Sequence, residues 1–182
     1  MQRTDFGDMT CSIARALSIL GDWWTPLILR DLLVGFTQFD EIRQDLGIST
    51  NVLSDRLGRL VEHGVVAREP YGSHPNRFEY RLTHKGEDAI PILLALVAWG
   101  DRWEVDKPGP PTLVVHSVCG KATTAVAHCA ECGVPLKPED LEYHKGPGSR
   151  QGPGTQLLRE RLGPLSAARS SRIREAPAPD RP

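Results

Sequence analysis

Three of the four cysteines fall in one short stretch, VVHSVCGKATTAVAHCAECGVPL, where His116-Ser-Val-Cys119-Gly is echoed by Cys129-Ala-Glu-Cys132-Gly. A ligand, two residues, a cysteine and then a glycine is the spacing of a zinc knuckle. The turn aims both ligand atoms at one metal, and the glycine lets backbone amides approach sulfur. Two knuckles separated by nine residues, with TTAVA between them able to form a strand, predict a small hairpin closed by a structural zinc. Its tetrahedral Cys3His ligands are His116, Cys119, Cys129 and Cys132, and His128 is a spare imidazole that can replace His116. Because this segment has little apolar mass, the metal would supply much of its folding energy. A reduced, metal-free extension and a Cys129–Cys132 disulfide are the alternatives. An enzyme centred on Cys129 and Cys132 is a weaker reading, because the thioredoxin-like βαβ surround and any Ser, His and Asp setting are missing and Glu131 alone makes no acid–base site.

The elements ahead of this cluster are helical by period. CSIARALSIL places Ile13, Ala16, Leu17 and Leu20 on one stripe. Thr25 followed by Pro26 reads as a capping hydroxyl and a proline at the first helical position, and this second helix runs to Gly35. Phe39, Ile42 and Leu46 line a third helix that stops at Gly47. Ser49 caps a fourth, whose Val52, Leu53, Leu57, Leu60 and Val61 share one side before Gly64. The period then changes to two: VVARE, the turn-rich YGSHPN, and RFEYRLT with Phe78, Tyr80 and Leu82 on its buried face. Thr83 should cap a long apolar helix reaching Trp99 or Trp103, kinked at Pro91.

Two short helices joined across Leu46–Ser49, the second amphipathic and followed directly by a hairpin, make a winged helix-turn-helix. The expected fold class is therefore mainly α with a small β-hairpin wing (α+β), plus a small β-hairpin, zinc-ribbon-like appendage and a disordered tail. The face of the fourth helix opposite Leu53, Leu57 and Leu60 is free to enter a major groove. Ser49, Thr50, Asn51 and Ser54 lie near its start as DNA-binding candidates, Asn51 and Ser54 able to reach base edges; Arg56 and Arg59 reach phosphates or guanine, and Gly58 permits close approach. Asp55 and Glu62 oppose that use. In the wing, His74, Asn76 and Arg77 form the polar tip. Residues 49–85 hold 6 Lys+Arg and 4 Asp+Glu, net +2. The plainer reading is a helical domain with solvated arginines, or a winged helix that binds only protein.

The run from Cys11 to Asp101 closely resembles the HxlR-type winged-helix transcriptional regulators of bacteria. It carries the early Cys11, GDWWTPLILRDL (21–32), FxxI followed by GIS, LSDRLxxLxxxGVV, PNRFEYRLTxKG (75–86) and a closing WGD (99–101). The resemblance implies a cytoplasmic homodimer, a repressor in type, bound to double-stranded operator DNA of palindromic sequence. It further implies a dimer interface from the first helix and the long post-wing helix, here Ile13, Leu17, Ile90, Leu93, Leu94, Val97 and Trp99. Cys11 stands where members that sense oxidants or electrophiles carry a reactive thiol, and a helix start favours thiolate. A small buried apolar side chain is the alternative for it.

The whole chain has 182 residues and net charge −1, which looks uninformative. Residues 1–107, however, hold 12 Lys+Arg against 16 Asp+Glu, net −4, while residues 108–182 hold 10 against 7, net +3. Eleven of the 15 prolines lie in the second part, so a boundary falls near Lys107. The expected organisation is a flexible 1–10, a winged-helix domain over 11–106, a linker over 107–111, a cysteine-rich extension over 112–143 and a disordered basic tail over 144–182. The longest apolar run, Ile90–Trp99, is too short for a membrane span, which needs about 20 residues. The first residues lack the apolar core of a secretory signal, so cytoplasmic residence and no membrane partner are expected.

Overall fold

The computed structural model describes residue 6 and residues 8–72 and 77–162. The chain divides into two compact units. One is Ile19–Pro135, and the other joins Met1–Ser18 to Leu136–Pro182. The first helix, α1 (Ser12–Leu20), crosses from the second unit into the first after Ser18.

Within Ile19–Pro135 the order is α2 (Thr25–Val34), α3 (Phe39–Leu46), α4 (Thr50–Glu62), β1 (Val66–Pro70), β2 (Phe78–Leu82), α5 (His84–Glu87) and α6 (Ile90–Trp103). Helices α2 and α3 stop at Gly35 and Gly47, whose positive φ angles of 102° and 61° suit a residue without a Cβ. One apolar core joins these elements: Ile28, Leu29 and Leu32 from α2, Ile42 from α3, Ile48, then Leu53, Leu57 and Leu60 from α4, with Val65, Val66, Tyr80 and Ala89. The α4 residues recur every three or four positions, the period that keeps one helical face inward. Each fully buried Leu or Ile contributes about 1.5–3 kcal/mol.

Strands β1 and β2 pair antiparallel from Val66 opposite Leu82 to Pro70 opposite Phe78. The Arg68 guanidinium lies 3.5 Å from the centroid of the Phe78 ring, a cation–π contact across the hairpin. The chain ahead of α3 adds a short third edge: the Tyr80 N–H donates to the Thr37 carbonyl at 2.8 Å, and Gln38 bridges to Glu79.

Two local expectations are corrected. Thr25 is the first residue of α2 rather than its cap. Asp22 takes that role, its Oδ1 accepting from the Trp24 and Thr25 amides at 2.9 and 3.0 Å. The helix after the wing is broken, not kinked: Thr83 Oγ1 accepts from the Gly86 amide at 3.2 Å to cap the single turn α5, and Pro91 falls in the first turn of α6, where its missing N–H costs nothing. The described residues continue to Leu162. Thr155 is buried and α7 forms at Leu158–Arg161; residues 163–182 lie outside the described ones.

The extension begins with β3 (Val115–His116) paired to β4 (Lys121–Ala122). Residues Thr112–Val114 and Thr123–Ala125 lie along α6 and enclose with Leu94, Val97 and Asp101 a cavity of about 180 Å³. The stretch up to Pro135 thus belongs to the winged-helix unit. Beyond it, Pro138–Asp140 make one 3-10 turn.

Candidate nucleic-acid interface

Helix α4 presents two chemically distinct faces. Leu53, Leu57 and Leu60 are buried, while Ser49, Thr50, Asn51 and Ser54 are exposed at and near its start. The Ser49 hydroxyl accepts from the Val52 amide at 3.5 Å, fixing the helix origin. A Cβ built on Gly58 meets no atom within 4 Å, so that stretch of the outer face is open.

Arg56 is deployed differently from the expectation. Its Nε lies 3.0 Å from Asp22 Oδ1, its Nη1 pairs with Asp55, and its side chain is only 24% exposed. The guanidinium therefore ties α4 to the turn before α2, and it also pairs with Asp55. Arg59 is half-buried on the same helix. Asp22 was the functional residue that sequence reasoning passed over. Its signal was present in GDWWTP, as an aspartate two and three residues ahead of the first helical amides.

Position α4 depends on its neighbours. Arg30 donates to the Oδ1 of Asp31 at 2.9 and 2.6 Å and to Asp45 Oδ2 at 2.9 Å, linking α2 to α3. Asp31 has no exposed surface, and burial pushes its carboxyl above the ordinary range, with Arg30 opposing the shift. In the wing, Arg77 is exposed and its carbonyl accepts from the Tyr71 amide at 2.8 Å. His74 and Asn76 lie outside the described residues.

The expected dimer residues sort into two groups. Ile13 and Leu17 of α1 are 70% and 46% exposed, and Val97 and Trp99 of α6 are also exposed. Ile90, Leu93 and Leu94 are half-buried, Leu93 against the core and Leu94 against the extension. Ile92, Leu96 and Trp103 join the exposed apolar face of α6.

Cys11 immediately precedes α1 and its carbonyl accepts from the Arg15 amide at 3.0 Å. It is half-buried at the wall of a cavity of about 690 Å³, shared with Arg15, His144 and Arg150. Arg15 is four residues from this thiol, whereas His144 and Arg150 are remote in the chain. Thr10 Oγ1 holds that distant segment through the Arg150 carbonyl at 3.2 Å.

The other three cysteines lie in two turns of the extension. His116 Nδ1 lies 3.5 Å from Cys119 Sγ. The Cys129 thiol is held below its usual range, first by the Cys132 amide, then by the Glu131 amide and the Cys132 side chain. Among the described residues no three His, Cys, Asp or Glu side chains are gathered as a metal-holding group.

A helix-turn-helix whose second helix has an exposed polar face, followed by a hairpin, defines a transcriptional regulator of the winged-helix class. Residues 19–107 match the model of the HxlR-like helix-turn-helix. An uncharacterized HTH-type transcriptional regulator of Mycobacterium bovis is 39% identical over 137 residues, covering 75% of this chain and 87% of that protein. The regulator YvaP of Bacillus subtilis is 39% identical over 97 residues, covering 53% of this chain and 90% of that one. The crystal structure of PA1607, described as a candidate transcription factor, superposes with a TM-score of 0.72 at 35% identity, covering 79% of this chain and all of that one. The chain belongs to the HxlR-like helix-turn-helix family. The 137-residue match to the mycobacterial protein is longer than residues 1–107, so it runs into the cysteine-bearing extension. No helix among the described residues is long and apolar enough to cross a membrane.

Proposed function

We propose that this regulator is a homodimer that binds a palindromic operator sequence-specifically and represses by occupying it. Helix α4 enters the major groove, with Asn51 and Ser54 reading base edges, Ser49, Thr50 and Arg59 on the backbone or its flanking bases, and Arg77 with the rest of the wing beside it. The observation that carries this reading is the outer face of α4: exposed small polar residues at the helix start, an open surface at Gly58, and an inner face fixed by three buried leucines. Arg56 serves as a positioning residue through Asp22.

Dimerisation is supported by the apolar side chains left outside the core. Ile92, Leu96, Trp99 and Trp103 are each between 47% and 62% exposed on α6, more than an isolated helix face leaves in water without a partner. The exposed Ile13 and Leu17 on α1 point the same way. Cys11 is the proposed point at which an oxidant or electrophile changes DNA affinity, since it borders a cavity of the size that takes small molecules.

The test is a gel shift of the purified protein on its own upstream region. Binding weakens steeply as salt rises, because phosphate contacts release counterions. Asn51→Ala and Ser54→Ala each lower affinity by about 1–3 kcal/mol for the specific site alone. Equal loss on unrelated DNA would remove α4 from base reading.

A further inference from the structure

The two cysteine turns have the same backbone. In the first, the Gly120 amide donates to the His116 carbonyl at 2.8 Å with Gly120 at φ 68°; in the second, the Gly133 amide donates to the Cys129 carbonyl at 2.9 Å with Gly133 at φ 70°. Each turn places ligand-type side chains at its first and fourth residues and a left-handed glycine at its fifth. The side chains of the first turn already have a coordination spacing. Tetrahedral bonds of about 2.3 Å to sulfur and 2.05 Å to nitrogen put the two ligand atoms ~3.6 Å apart, and His116 Nδ1 is 3.5 Å from Cys119 Sγ.

The extension has little else to hold it. Its strands β3 and β4 have two residues each, and a lone two-stranded hairpin is marginal in water. Val115, Val118, Val126 and Val134 are between 53% and 85% exposed, so no apolar core forms around the turns. We propose that His116, Cys119, Cys129 and Cys132 bind one zinc-class divalent cation, which joins the two turns into a single closed knob against α6. Among the described residues the four side chains are not gathered into one group, so binding has to draw the two turns together. The nine residues Gly120–His128 that link them span up to ~30 Å when extended, ample for closure. Binding takes neutral His116 and three thiols, releases the three thiol protons, and leaves one net negative charge on the centre. No redox step is involved, and the site is independent of how α4 reads DNA.

The full-length protein, purified under reductant without chelator, is measured by native mass spectrometry and then reloaded with cobalt(II). The expected result is one ion per chain, visible absorption of tetrahedral cobalt, and thiolate-to-cobalt charge transfer at the strength of three thiolates. Cys119→Ser and Cys132→Ser lose the stoichiometric ion and Cys11→Ser keeps it. An apo mass in excess zinc overturns the proposal. So does a mass lower by the two hydrogens of a Cys129–Cys132 disulfide under these conditions, or cobalt held by Cys119→Ser as tightly as by the wild type. The cobalt spectrum of the unaltered protein decides the matter even where a variant fails to fold.

Discussion

Asp31 sets two opposing effects against each other at one carboxylate. Arg30 donates two hydrogen bonds to its Oδ1, yet Oδ2 has no hydrogen-bond partner among the described residues and the side chain has no exposed surface. Desolvation outweighs the ion pair, so the folded pKa is raised. The folded state then binds the proton more tightly than the unfolded one. The associated stability is fully present below the unfolded pKa and is lost as pH rises through the raised folded value. Asp31→Asn is therefore expected to gain on the wild type as pH rises from about 4 to 7, in urea midpoints measured across that range. A difference independent of pH would show that Arg30 fully compensates burial. Gly86 is a steric case. A Cβ there falls 2.2 Å from the Val65 carbonyl oxygen and 3.2 Å from two atoms of Leu82. Gly86→Ala should cost about 1–3 kcal/mol, read as a lower thermal midpoint. Nothing in the local sequence announces that contact, because the residues it joins are about twenty positions apart, whereas Gly35 and Gly47 were legible from the helix periods they end.

At the scale of elements, α2, α3 and α4 are readable because each buries one periodic stripe with a glycine just past its end. What the sequence could not show was which polar group completes each end. Thr25 and Thr83 both precede helical patterns, but Asp22 supplies the cap for α2 while Thr83 caps its own turn. The α5–α6 break has the same origin: periodicity continues across Pro91, while the missing amide makes the start of a new helix the low-cost place for it. The stripe of α1 was read correctly as apolar, but Ala14 is its buried residue, and Ile13 and Leu17 face outward. Arg56 shows how the candidate interface was only partly legible, since its partner Asp22 is thirty-four positions away. Arg56→Gln should lower the urea midpoint and leave the slope of log affinity against log salt unchanged. A slope smaller by about one would place Arg56 on a phosphate instead.

For the whole molecule, near-neutral charge conceals an acidic winged unit with a locally basic stretch and a basic second part. The family match ends at residue 107, where the composition changes, while the extension up to Pro135 lies along α6 within the same compact unit. In the second part Thr155 is buried and shares a hydrogen bond with Thr10 at 3.2 Å. That pairing is 145 residues long in sequence and no local pattern encodes it. The central claim is that two copies of α4 read one inverted repeat, and a hydroxyl-radical footprint on the upstream DNA tests it most directly. Two protected half-sites, centred about one helical turn or ~34 Å apart and both lost with Asn51→Ala, are the predicted result. Protection of a single half-site, or the same footprint from the Asn51→Ala protein, would contradict it.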